Sequence, residues 1–524
     1  MLLFILKITK MKMKILIPLL FLVLMAFLGC SKLKEDPKAT LTPATYFQTQ
    51  SDLDASVAAI YQQLVEDGAY AFDFHLYSYF GSDDLTADPN LAKGDQRSFD
   101  ELNGSSGNGS IAHSQWGTPW AAIYQSNNVI QNYSKVIGDP VAINGAAGQA
   151  YFIRGWSYYL LVRTFGPVPV ITTQVPADYR PARDSIATVY ATVISDLQTA
   201  ITLLPTSFPG APGKATQNAA RSLLADVYLT MATWPLNQAS NYALAAAEAD
   251  SVILSGQYTL VPDYGTVFTT NNNSESIFGL EFNVPGGNPD RFYGDCSMPW
   301  EEYGLDGNFG WEEFYPEINF YKAAPVCKRT DEEFYTTLKL IQPDKSFLLV
   351  PYNSTKTRNQ HPFYRKFRTG VLNDGPQGCQ ETDSILFQMN PSTNKTNDVM
   401  RYPEVLLDYA EASDMASSGP TAQSYSAINL VRTRAGEPAL TPGLSAIAFR
   451  DSVVFERAYE FAAEWGARWF DIVRLQLLPQ VVAARNPLEN PISLGGNNIQ
   501  TRYYCPIPIN EMLKNPQWTQ NPGY

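Results

Sequence analysis

The sequence predicts a mainly α-helical protein, a scaffold of helix pairs interrupted by an irregular, loop-rich insert containing short strands. Three observations lead there. The chain has 524 residues, of which 45% are hydrophobic and 17% charged, enough apolar content to bury a large core. Ala-rich segments with apolar residues every three or four positions run through 45–256 and resume over 401–524. Between them, 257–400 loses that period and turns to Gly, Pro, Asn and aromatic residues.

The N-terminus comes first. Lys7, Lys10, Lys12 and Lys14 precede an apolar run from Ile15 to Gly29. That run is short for a bilayer-spanning helix of about 20 residues, so 1–29 reads as an export signal. The apolar Met1–Leu6 ahead of the lysines makes Met11 or Met13 an alternative start. Gly29-Cys30 is similar to a bacterial lipobox, with Phe27 where Leu is usual. In a lipobox the thiol, here Cys30, is acylated and becomes the mature N-terminus, and two or more acyl chains anchor stably. Residues 30–44 then serve as lipid anchor and tether, and Ser31–Asp36 resembles a surface-export signal of Bacteroidota lipoproteins. Removing 1–29, which holds four lysines and no acids, takes the net charge from −13 to −17.

The N-terminal helical region (45–256) contains four clear segments: Gln149–Phe165, Ile186–Leu204, Thr216–Thr233 and Ser240–Leu254. Gly166-Pro167, Pro205 and Gly256 stop three of them, by a missing N–H or a positive φ. Ala219-Ala220, Ala225 and Ala243–Ala249 let helix backbones approach closely, as in antiparallel helix-pair repeats of about 34 residues, although the full tetratricopeptide consensus is absent. The insert (257–400) offers β-like runs at Ser276–Phe282 and Ser346–Val350. The C-terminal region (401–524) completes the scaffold with Tyr402–Ala416, Thr421–Arg434 and Ser445–Leu475. On the last, Glu456, Glu460, Glu464 and Arg468 follow one another at i+4 and predict a laddered salt-bridge face.

Several function classes lack support. With a net charge of −13 and no cluster of four or more Lys/Arg after the N-terminus, nucleic acid has no electrostatic footprint. His75, His113 and His361 lie far apart and no Cys-x-x-Cys occurs, so zinc of ordinary spacing is not expected. There is no Gly-x-Ser-x-Gly elbow, and Gly213-Lys214-Ala215-Thr216 lacks the first Gly and the Ser/Thr of a phosphate loop. No cofactor is implied. Ser82-Asp83-Asp84 and Asp88 have oxygen donors suited to calcium, but a solvated loop or helix cap is the preferred reading. Cys296, Cys327, Cys379 and Cys505 allow two disulfides in any of three pairings and demand none.

Motifs along nearly the whole mature chain resemble the SusD/RagB family of surface nutrient-binding lipoproteins. They are Leu41-Thr42-Pro43 with Tyr46-Phe47; Ile153–Pro169, similar to the family's Arg-Ala-x-x-Tyr-x-x-Leu-x-x-x-Phe-Gly-x-Val-Pro helix and exit; Ala219–Ala225 with Tyr228-Leu229; Arg401–Ala412 and Asn429–Gly436; Gly466–Asp471; and the ending Gln520–Tyr524. Gly155 and Pro403 stand where the family often has Ala. The resemblance implies a tetratricopeptide-like scaffold with an irregular insert. It also implies a lipid-anchored lid facing the cell exterior on a TonB-dependent, SusC-like outer-membrane transporter, presenting oligosaccharide or, alternatively, peptide. A surface glycosidase ranks below both, and no enzymatic activity is expected.

No family motif fixes ligand residues, so these are read from composition. Phe292–Tyr321 holds ten aromatic residues and seven acids in 30 positions, with no Lys or Arg. Sugar rings stack their C–H faces on aromatic planes while carboxylates and amides take the hydroxyls, and pockets combine apolar walls with a few placed polar groups. Trp300, Tyr303, Trp311 and Tyr315 are the ligand-binding candidates, because Gly, Pro and acids surround them as on a loop surface. Six more rings lie in Tyr70–Phe80, adding Tyr77 and Tyr79 as candidates. The competing role for each ring is packing the insert onto the helices. The absence of cations in the cluster favours a neutral or cationic ligand over an anionic one.

Overall fold

The computed structural model describes residues 46–66, 68–72, 79–88, 93–109, 111–283, 298–301, 310–344, 347–367, 394–489 and 491–524. The scaffold opens with α1 (Gln50–Leu64), the short α2 (Gly94–Asp100), a π-helical turn at Ile111–Gly117 and α3 (Thr118–Asn132). Four longer helices follow: α4 (Pro140–Phe165), α5 (Ile186–Leu203), α6 (Gln217–Met231) and α7 (Asn241–Leu254). Each packs on the next, α1 on α3, α3 on α4, and so on to α7, which gives the stacked helix-pair architecture.

Local chemistry sets the helix starts. Thr49 caps α1 in a reciprocal box with Asp52, and Ser185 and Thr216 cap α5 and α6 by accepting backbone N–H bonds. The stop at Gly166 has the positive φ expected (71°). The expected segment Thr216–Thr233 exceeds α6 by one residue at its start and two at its end, whereas α4 begins nine residues before Gln149. The reason is Asp139: its carboxylate accepts the Val141 N–H, and Pro140 takes the first helical position, where a missing N–H costs nothing. At Gly148 an added Cβ would lie 2.8 Å from Leu204, so this glycine sets how closely α4 approaches the end of α5. Arg154 of α4 then clasps Asp196 of α5 through two buried bonds of 2.8 and 2.6 Å.

The insert contributes α8 (Tyr264–Val267), β1 (Ser276–Leu280), α9 (Ile318–Ala323), α10 (Lys328–Glu333), β2 (Phe334–Tyr335), β3 (Thr337–Ile341), β4 (Phe347–Pro351), β5 (Phe363–Tyr364) and β6 (Asn397–Arg401). The strands form three antiparallel pairs, β1 with β6, β2 with β5, and β3 with β4. The chain returns through β6 into α11 (Tyr402–Ala416), which packs on α7, so the scaffold continues across the insert. The remaining helices are α12 (Ala422–Ala435), α13 (Ala446–Glu460), α14 (Ala467–Arg474), α15 (Leu478–Ala484) and α16 (Ile509–Lys514).

The expected single helix Ser445–Leu475 is two helices. α13 ends at Glu460, and Ala463, Trp465 and Gly466 turn the chain with φ of 61°, 48° and 73°. The expected surface ladder fails with it: Glu456, Glu460 and Glu464 are buried and pair across to other elements. Arg329 of α10 bonds Glu456 (2.5 Å), Glu460 (3.2 Å) and Glu437 (2.7 Å). Arg401 reaches Glu275 (3.0 Å), Glu460 (3.1 Å) and Glu464 (2.8 Å), and Lys366 sits between Glu333 and Glu464. Arg468 turns away to Asp83, with two bonds of 2.6 Å. These ionic contacts fasten the insert to the C-terminal helices. Cys327 and Cys505 are buried free thiols.

Candidate functional site

Three chain segments meet beside the insert: the loop around Thr86, the stretches 298–301 and 310–315, and the link between β4 and β5. Thr86 and Tyr315 exchange backbone bonds of 3.0 and 3.2 Å. The Glu312 N–H donates to Met298 O at 3.1 Å. Gly310 permits this pairing, since a Cβ there would lie 2.3 Å from the carbonyl oxygens of Met298 and Pro299.

The result is an aromatic ledge. Trp300 is 36% exposed, and the Arg358 guanidinium stands 5.1 Å from its ring centre. Arg358 is held from two sides: its backbone N–H donates to Glu301, and its Nε lies 3.4 Å from the buried carboxylate of Asp88. Trp311 is half-buried and meets Phe72 edge to face at 5.5 Å. The two aromatic stretches that the sequence singled out therefore touch at this point.

Glu312 joins the pieces underneath. Its backbone is left-handed (φ 51°) and its side chain is buried, accepting Asn359 Nδ2 at 2.6 Å and the Trp300 N–H at 3.3 Å. Burial, and then the negative charge of Glu301, push its carboxyl up to about 8.

Of the residues proposed from sequence, Trp300 and Trp311 reach this ledge. Tyr315 does not: pairing with Thr86 turns its ring inward against His361 (4.4 Å) and Phe363 (5.8 Å), and it is 1% exposed. Tyr79 is likewise a core residue, 5.5 Å from Phe470 and fitted against Gly466, which has no side chain to displace it. Cys30, Tyr77 and Tyr303 lie outside the described residues. The solvated loop expected at Ser82-Asp83-Asp84 is instead packed: Asp83 pairs with Arg468, and the buried Asp84 accepts the Ala463 N–H at 2.7 Å. Sequence reasoning missed Arg358 and Asn359, which sit in the polar run Asn353–Gln360 with no local signal to distinguish them. Arg358 also changes the charge of the site, because the cation-free aromatic cluster acquires a cation in the fold.

A second concavity of about 850 Å³ opens between α9, α13 and α15. Its rings are largely committed to each other, Phe320 stacked on Tyr459 at 4.5 Å, leaving Phe455 as its exposed aromatic residue.

A helix-pair scaffold bearing a loop-built aromatic ledge defines the class: a mainly α-helical protein whose loop-rich insert carries the exposed ring of Trp300. Two sequence profiles match, the SusD family over residues 385–524 and a second described as starch-binding, associating with outer membrane, over residues 33–229. SusD-like protein P2 of Formosa agariphila is 28% identical, over 96% of this chain and 98% of its own. A SusD homologue from Bacteroides thetaiotaomicron superposes with a TM-score of 0.77 at 20% identity, covering 94% of this chain and all of that one. A structure solved with a xylogluco-oligosaccharide superposes with a TM-score of 0.71 at 18% identity, covering 88% of this chain and 97% of that one. Both profiles and these relatives agree, and the chain is SusD-like over nearly its whole length.

Proposed function

We propose that this protein is a non-catalytic lipoprotein that captures oligosaccharide on the Trp300 ledge and delivers it to a SusC-like, TonB-dependent transporter. Cys30 anchors it to the outer membrane, with the ledge facing the cell exterior. The observation behind this reading is the exposed Trp300 ring bordered by Arg358 and Glu301: an indole face for sugar C–H groups, with a donor and an acceptor beside it for hydroxyls. The description of one matching profile as associating with outer membrane, and the xylogluco-oligosaccharide in a structural relative, support the same reading. The ledge carboxylates are already engaged: Glu312 by Asn359 and the Trp300 amide, Glu301 by the Arg358 amide. Binding rather than bond cleavage suits that arrangement.

Titration calorimetry against an oligosaccharide panel, xylogluco-oligosaccharide included, tests it. Binding of at least one glycan, weakened about tenfold or more by Trp300→Ala as for a central aromatic anchor, is the expected result. A protein that binds peptides and no glycan, or that releases cleaved sugar, would overturn it.

A further inference from the structure

The aromatic cluster in the sequence is acidic and free of cations, yet the folded ledge is not. Arg358 arrives on the β4–β5 link and stands over Trp300. Its side chain is 30% exposed, and its closest approach to an acid is Nε to Asp88 at 3.4 Å. Among the described residues its two terminal amino groups make no hydrogen bond. The acids around it are occupied: Glu301 accepts the Arg358 amide, Glu312 accepts Asn359 and the Trp300 amide, and Glu313 is closed off by Lys93 and by Gln96 at 2.6 Å. A guanidinium beside an exposed aromatic ring, with no hydrogen bond at its terminal amino groups, offers its Nη1/Nη2 edge as a fork that can take a planar or tetrahedral anion through two parallel bonds.

We propose that the ledge binds an acidic glycan, with Nη1 and Nη2 of Arg358 holding a carboxylate or sulfate ester on the sugar next to the ring that lies on Trp300. This rests on the oligosaccharide reading above and narrows it. The net charge of −17 on the chain without residues 1–29 does not oppose it, because charges beyond about 8 Å are largely screened at physiological salt.

Two matched probe pairs test the proposal at pH 7: xylo-oligosaccharides with and without a glucuronate branch, and galacto-oligosaccharides with and without a sulfate ester. The acidic member of at least one pair is expected to bind tenfold or more tightly than its neutral partner, and the pair that shows this identifies the anion. Arg358→Gln should bring the two members within about twofold by weakening only the acidic one. Arg358→Lys, a point charge without the fork, should keep part of the preference. Trp300→Ala should weaken both members together. Equal affinities within both pairs, or a preference that survives Arg358→Gln, would overturn the acidic-glycan assignment while leaving oligosaccharide binding intact. No binding by any of the four probes, nor by the wider panel, would instead remove the oligosaccharide reading and this one with it.

Discussion

Glu312 sits where the two loops of the ledge join, with its carboxyl near 8 because burial and Glu301 oppose ionisation. At pH 7 it is therefore mostly protonated and neutral. As pH rises through 8 it gains a negative charge close to Asp88 and Glu301, opposite in sign to Arg358. Affinity for an acidic oligosaccharide should then fall between pH 7 and 9, and Glu312→Gln, which stays neutral and keeps the shape, should flatten the fall. Calorimetry of both proteins at pH 6.5, 7.5 and 9 reads this directly; the same fall in both proteins would exclude Glu312 as its source. The residue scale is also where sequence reading was weakest. Trp300 and Tyr315 have the same Gly, Pro and acid-rich neighbourhood, yet one is 36% exposed and the other 1%, because the Thr86–Tyr315 pairing decides which way the ring faces. That pairing joins residues more than two hundred positions apart and leaves no local trace. Arg358 was invisible for the same reason.

Elements were far more legible. The periodicity placed α5, α6, α7, α11 and α12 to within about two residues, because caps and breakers are local chemistry. The break between α13 and α14 was not legible, since apolar and charged residues keep a helical rhythm through Ala463 and Trp465 while the backbone turns left-handed there. Identifying Glu456, Glu460 and Glu464 as salt-bridging was right in kind, but their partners come from β6, α10, α12 and Lys366 just after β5, and their setting is the core. The energetic consequence differs accordingly. Removing one member of a buried network leaves the others as unpaired charges, at a cost of about 3–5 kcal/mol, whereas a surface pair contributes about 0–1 kcal/mol. Arg401→Met, which takes one cation away from each of the buried Glu275, Glu460 and Glu464 and leaves them to Arg434, Arg329 and Lys366, should lower stability in urea unfolding by several kcal/mol. Arg450→Ala, which frees only the exposed Asp451, should change it by less than about 1 kcal/mol. Equal effects of the two changes would mean that the buried network does not hold the insert in place.

At the scale of the whole molecule, the same network predicts how stability depends on pH. Among the buried carboxyls raised chiefly by burial are Asp84, to about 6, and Glu333 and Asp398, to about 7. Glu460 is the opposite case: burial works against its charge, but Arg434, Arg401 and Arg329 hold it down to about 2. The signs follow from which state holds more protons. For Asp84, Glu333 and Asp398 the folded state keeps protons that the unfolded chain has released, so their contribution is complete below the unfolded carboxyl range, near 4, and is lost as pH climbs through 6 to 7. The contribution of Glu460 is present above that range and is lost only as pH falls toward 2. Together they place maximal stability on the acidic side, with the melting temperature falling from about pH 4.5 to 7. Asp398 lies on β6, where the chain re-enters the scaffold, and Glu333 ends α10 beside Lys366, so the loss should fall first on the attachment of the insert. Thermal unfolding from pH 4.5 to 8.5 provides the measurement, and Asp398→Asn, which cannot ionise, should shallow the decline at its alkaline end. A melting temperature that is flat or rises toward pH 7 would show that these carboxyls ionise without cost in the folded protein, and that the insert is held by packing rather than by its buried charges.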